Sequence, residues 1–167
     1  MRRILVVFAA VCAAAALAVP VALAASPHFI RATATLNNDG SLTVSFKEAG
    51  LGTNQNIDYV ASADATATYV CVNRGGANPS AQNKTTVSGP VSETGTFSSG
   101  KNGQVTTSLT IDPPPSDISC PPGQSLELAS VSYTNVRITD TTNNVFEDIP
   151  GTFSSGCLLP NVRGACD

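Results

Sequence analysis

The chain has no tryptophan, a single histidine, His28, and only three tyrosines. Each scarcity removes a function class. A Ser-His-Asp hydrolase needs an imidazole held by packing and by a third group. The only one here lies close to an expected chain end, where segments fray. A two-histidine copper site is excluded outright, and an amine-plus-His28 chelate fails because Pro27 has no amide proton to lose. Sugar-cleaving or sugar-binding surfaces rest on aromatic faces, and three phenols are a thin supply. Charge is scarce too: 13% of residues are Asp, Glu, Lys or Arg, and no run of like charge occurs. Phosphate recognition needs a Lys/Arg surface, so a nucleic-acid partner is not expected. No C-x-x-C pair exists for zinc, and helical periodicity is nearly absent. No residue set for a cofactor or a metal emerges.

What is present first is an export signal. "MRR" gives a basic start, "ILVVFAAVCAAAALAV" an apolar run, and Ala22–Ala24 an A-x-A cleavage site. Residues 1–25 therefore read as a cleaved secretory leader, with processing after Ala24 or Ala25. A membrane anchor fits less well, because the run is Ala-rich and broken by Pro20. Residues 26–167 form one domain, about 142 residues, enough for a single core. Loss of Arg2 and Arg3 with the leader leaves 7 basic against 12 acidic residues, a net charge of −5. The expected location is extracellular, with no membrane span after processing.

Four cysteines remain: Cys71, Cys120, Cys157 and Cys166. An even number in an exported chain reads as two disulfides. Three pairings are open. Cys71–Cys120 with Cys157–Cys166 is favoured, since the last two are neighbours in a turn-rich tail. Loop-closure entropy makes the first worth about 4 kcal/mol and the second about 3 kcal/mol.

Alternation of period two runs through the rest. "FIRATATL" aligns Ile30, Ala32, Ala34 and Leu36. "NNDG" turns it into "SLTVSFKE", with Leu42, Val44 and Phe46 inward and Thr43, Ser45 and Lys47 outward. "NIDYVASA" and "ATATYVCV" follow. "KTTVSGPVSETGTFS" predicts two short strands broken near Gly89–Pro90. "QVTTSLTI" alternates cleanly, with Val105, Leu109 and Ile111 inward. "DPPPSDISCPPG" is irregular, because three prolines remove ladder donors. "SLELASVSYTNVRIT" slips phase between Leu128 and Val131, which implies a bulge or a bend, and "DTTNN" leads into "VFEDIP". The expected core adds Tyr69 and Leu126. Eight or nine strands without helices imply an all-β fold, an immunoglobulin-like antiparallel β-sandwich of about eight strands stapled by two disulfides. "GTFSSG" occurs at Gly95–Gly100 and Gly151–Gly156 with no matching flanks, so it reads as one strand exit used twice. "NNDGS" and "DTTNN" are partial calcium loops better explained as turns. "NKT" at Asn83–Thr85 fits the glycosylation triplet.

The stretches "SPHFI", "ATATYVCVN", "LELASVSYTNV", "TDTTN" and "PGTFSSGCL" resemble a group of exported bacterial proteins with no assigned activity. That resemblance implies export and a β-sandwich, but no site. "FSSGKNGQVTTSLTI" is similar to one strand-turn-strand segment of the neocarzinostatin-type apoproteins, small sandwiches that hold an apolar chromophore.

The functional expectation is a non-enzymatic exported module that binds an extracellular protein or envelope component. A carrier of a small apolar ligand and a protease inhibitor are the alternatives. The inhibitor reading rests on "CLLPNVRGAC", a ring in which Leu158, Leu159, Pro160, Arg163 and Gly164 would form a binding loop, with Arg163 presented to a trypsin-like pocket.

Overall fold

The computed structural model describes residues 26–77 and 83–166. The expected leader, residues 1–25, lies outside the described residues, as does the Pro79 part of the following loop. Among the described residues there are eight strands: β1 (His28–Leu36), β2 (Leu42–Ala49), β3 (Asn56–Asn73), β4 (Lys84–Ser98), β5 (Gln104–Ile111), β6 (Gln124–Asp140), β7 (Val145–Ile149) and β8 (Phe153–Ser154). They form two antiparallel sheets: sheet A in the order β1-β2-β5, and sheet B in the order β4-β3-β6-β7, with β8 also on β6. This is the all-β, immunoglobulin-like sandwich that alternation implied. The chain crosses between sheets after β2, β4 and β5.

The core lies between the sheets. From sheet A come Leu42, Val44, Phe46, Val105, Leu109 and Ile111, all buried. Sheet B supplies Ile57, Tyr59, Val131, Tyr133 and Ile138. Along β3 the inward positions Ala61, Ala63, Ala65 and Ala67 are small and fully covered. Phe46 and Tyr59 meet tilted at 4.6 Å between centroids, with Phe29 and Phe97 edge-on to Phe46.

The hairpin between β1 and β2 shows why its turn residues are fixed. Gly40 has φ 89°, and a Cβ there would stand 2.5 Å from Leu128 Cδ2. The Tyr133 hydroxyl donates to the Gly40 carbonyl at 2.8 Å, tying the turn of sheet A to the centre of sheet B.

Both disulfides have the favoured pairing, Cys71–Cys120 and Cys157–Cys166. The first pins the proline-rich crossover to the end of β3, and Tyr69 reinforces it by donating to the Pro114 carbonyl at 2.9 Å. The second closes a ring that lies on sheet B. There Ala165 packs with Val70 and Ala129 as a second small core, flanked by Leu159 and Val162.

Three expectations need correction. Ile30 is 52% exposed. The β1–β2 register passes from Phe29↔Glu48 to Arg31↔Lys47, so Ile30 is the extra residue of a bulge and Phe29 takes the inward place. Leu126 is 38% exposed; it stands opposite Cys71 near the end of the β3–β6 ladder, where the first residues of β6 are exposed. The segment Lys84–Ser98 is one continuous strand. Pro90 does not break it because β4 is an edge strand, where a missing N–H can face away from the ladder. Leu36, on edge strand β1, and Tyr69, under Pro114, are half-buried. Thr43, Ser45 and Lys47 are also half-buried, because β2 is the middle strand and its outer side chains stand between those of β1 and β5. The expected bulge is present: β6 advances from Ser130 to Leu128 while β3 advances one residue, leaving Ala129 as the extra residue.

These positions separate cleanly in a stability measurement. Val44→Ala should lower unfolding free energy by about 2–4 kcal/mol, and Ile30→Ala by less than about 0.5 kcal/mol. Urea denaturation of both variants checks the inward phase of β2 and the bulge in β1 together.

Candidate functional site

A strand in a two-sheet sandwich has one face against the core, so its alternate residues must face outward. In sheet B those residues are nearly all hydroxylated or charged. Register places Thr68 between Thr86 and Ser130, Thr66 between Ser88 and Ser132, Asp64 between Pro90 and Thr134, and Ser62 between Ser92 and Arg137. Cross-strand hydroxyls bond each other, Thr66 to Ser88 at 3.0 Å and Thr68 to Thr86 at 3.2 Å.

Two open grooves mark this face. The first, of about 730 Å³, is lined by Ser62, Thr134, Asn135, Arg137, Asp148 and Thr152 among others. It forms where β6 bulges: Asn135, with φ 52°, and Val136 together face Ala63. There β7 has ended at Ile149 and β8 has not begun. Asn135 Nδ2 donates to Asp64 at 2.7 Å. Arg137 grips Asp148 with both ends of its fork, Nε–Oδ1 2.6 Å and Nη2–Oδ2 3.0 Å. That hydrogen bonding holds the Asp148 carboxyl below its usual range. Arg137 also lies 4.1 Å over the Phe146 ring, which is 54% exposed. The second groove, about 480 Å³, runs past Thr66, Thr68, Lys84, Ser130, Ser132 and Ser154 to the Cys157–Cys166 ring.

The ring itself is compact. Val162 N–H donates to the Leu159 carbonyl and Ala165 N–H to the Val162 carbonyl, two successive turns. Gly164 has φ 78°, as a type II turn requires at its third residue. Leu158 and Leu159 are half-buried, with Leu158 beside Gly40, while Pro160 and Arg163 are exposed. Arg163 forms a parallel bridge with Ala77. Its backbone thus sits at a turn corner and is tied to the loop after β3.

Other sequence candidates resolve into local structure. His28 is exposed, with Nδ1 2.8 Å from the Ser26 carbonyl. Asp39 caps the first turn by accepting from Ser41, and Asp140 caps "DTTNN" by accepting from Asn143. All three tyrosine hydroxyls are used, on Glu48, Pro114 and Gly40. Among the described residues no three His, Cys, Asp or Glu converge to hold a metal, and no helix is long and apolar enough to cross a membrane.

The two GTFSSG copies share one device. Ser99 N–H donates to the Gln55 carbonyl while Gln55 N–H donates back to Ser99 Oγ at 2.9 Å. Ser155 repeats this on Val131: its N–H donates to the carbonyl, and Val131 N–H donates to Ser155 Oγ at 3.0 Å. Phe97 and Phe153 both pack on the main core, and Gly100 and Gly156 both have left-handed φ, 59° and 62°. No family model, no curated protein and no solved structure matches the chain.

The second serine of each copy is therefore a clamp. Ser99→Ala should destabilise the chain by about 1–3 kcal/mol, since it removes a buried hydroxyl that accepts from Gln55 N–H and donates to the Gly52 carbonyl. Ser155→Ala should cost less, because Ser155 is only half-buried. Thermal unfolding of the two variants checks the order.

Proposed function

We propose that this chain is an exported, non-enzymatic binding module that engages an extracellular protein or envelope component through the outer face of sheet B. The observation that carries this reading is the contrast between the two sides of that sheet. The inner side closes on a core of interlocked aromatic and aliphatic residues. The outer side offers an open groove with a pre-set Arg137–Asp148 fork, an exposed Phe146 edge and a row of hydroxyls. A carrier of an apolar ligand needs a cavity lined by apolar side chains; the grooves of sheet B are lined mainly by polar ones. An inhibitory loop works when it is extended and pre-ordered. The Cys157–Cys166 ring is ordered but folded as turns, which suits a staple over Val70 and Ala129.

Because Arg137, Phe146 and Asp148 are exposed or rim-like, their substitution should leave folding intact. The purified protein, immobilised, should retain a component of its producer's envelope or culture medium. Arg137→Ala and Phe146→Ala, each with an unchanged urea midpoint, should lose it. Retention undiminished in both variants would remove the groove from the interface.

A further inference from the structure

Glu48 and Asp140 are both 0% exposed and come from opposite sheets. Alternation puts them there. Glu48 continues the inward phase of Leu42, Val44 and Phe46, and Asp140 that of Val136 and Ile138. The Tyr59 hydroxyl donates to Glu48 Oε2 at 2.6 Å. Asp140 accepts from Asn143 N–H at 2.9 Å and from Asn143 Nδ2 at 2.6 Å. The remaining oxygen, Glu48 Oε1, is buried without a donor. A buried carboxylate oxygen with no donor, beside a second buried carboxyl, is costly in its charged form. A proton on Oε1 removes the charge and turns that oxygen into a donor, and Asp140 is the other carboxyl buried where β2 meets β6.

We propose that a proton held on Glu48 and directed at Asp140 acts as a latch between the two sheets, closed in acid and released as the medium rises to neutral. The device is independent of the binding reading and lies away from the groove residues. The titratable groups acting on Glu48 are Tyr59 from β3, Asp140 from β6 and His28 from β1, whereas β5 presents Val105 opposite it. Burial, the largest influence, pushes Glu48 up from 4.5 to about 7; Asp140 adds to the rise, and the Tyr59 hydrogen bond opposes it. The folded chain therefore holds a proton that the unfolded chain gives up between these values. The stability is complete below about 4.5, drains as pH climbs towards 7, and levels off above it.

The test is urea unfolding of the purified protein from pH 4 to pH 9. The wild-type folding constant should fall roughly 10²-fold across the window. Glu48→Gln keeps the shape and cannot ionise, so its curve should lose that component and lie above wild type at high pH. Two further near-isosteric variants should move the transition in opposite directions. Tyr59→Phe removes a donor that favours the carboxylate and should shift the transition upward by about half a pH unit or more. Asp140→Asn removes the neighbouring negative charge and should shift it downward. Wild-type and Glu48→Gln curves that run parallel would overturn the latch. If Glu48→Gln does not fold, the other two variants decide: shifts in the same direction, or none, overturn it equally.

Discussion

The structure depends on β3, an 18-residue strand that pairs along its length with β4 on one side and β6 on the other. Its two faces could hardly differ more. Inward it presents Ile57, Tyr59 and then four alanines, small enough for the opposite sheet to approach and fill the space. Outward it presents Asp58, Ser62, Asp64, Thr66 and Thr68. A strand of strict period two cannot exchange these faces without a register slip that would bury the hydroxyls. The bulges in the β3–β6 ladder absorb the local mismatch, and they fall on β6, leaving β3 unbroken.

Around this strand, distant parts of the chain are tied by specific bonds rather than by more apolar area. Tyr133 reaches the Gly40 turn, Tyr69 the Pro114 carbonyl, and Tyr59 the Glu48 carboxyl. Every phenol is an inter-segment tie, so the three tyrosine hydroxyls serve the fold. The serine clamps do the same for backbone. Each lets a strand exit bond one residue of a neighbouring segment through both its N–H and its side chain. Among the described residues only Phe146 of the large aromatics is left on the surface, beside the Arg137–Asp148 fork.

Much of this was legible in the sequence. Alternation gave the strands, the inward residues of β2 and β5, and the slip near Ala129. Cysteine spacing left three pairings open and favoured the one that is present. What was hidden depended on partners that no local pattern reveals. Ile30 looked inward because Phe29 and Ile30 are equally apolar, and only the register with β2 shows which one bulges. Pro90 looked like a break because edge position is a property of the sheet. The Arg137–Asp148 fork had a signal: both residues lie equally far from the centre of the turn at 141–144, so a hairpin pairs them. Glu48 had one as well, since it continues the phase of Phe46, but its meeting with Asp140 needs both sheets in place.

The central claim is that recognition happens on the outer face of sheet B while the interior stays closed. The most direct measurement is amide chemical-shift mapping of the labelled protein during titration with material eluted from its immobilised form. The account predicts shifts concentrated at Ser62, Thr134, Asn135, Arg137 and Asp148, with Phe46, Ala61 and Leu109 unmoved. Shifts centred on Leu159–Gly164, or on the core residues between the sheets, would contradict it.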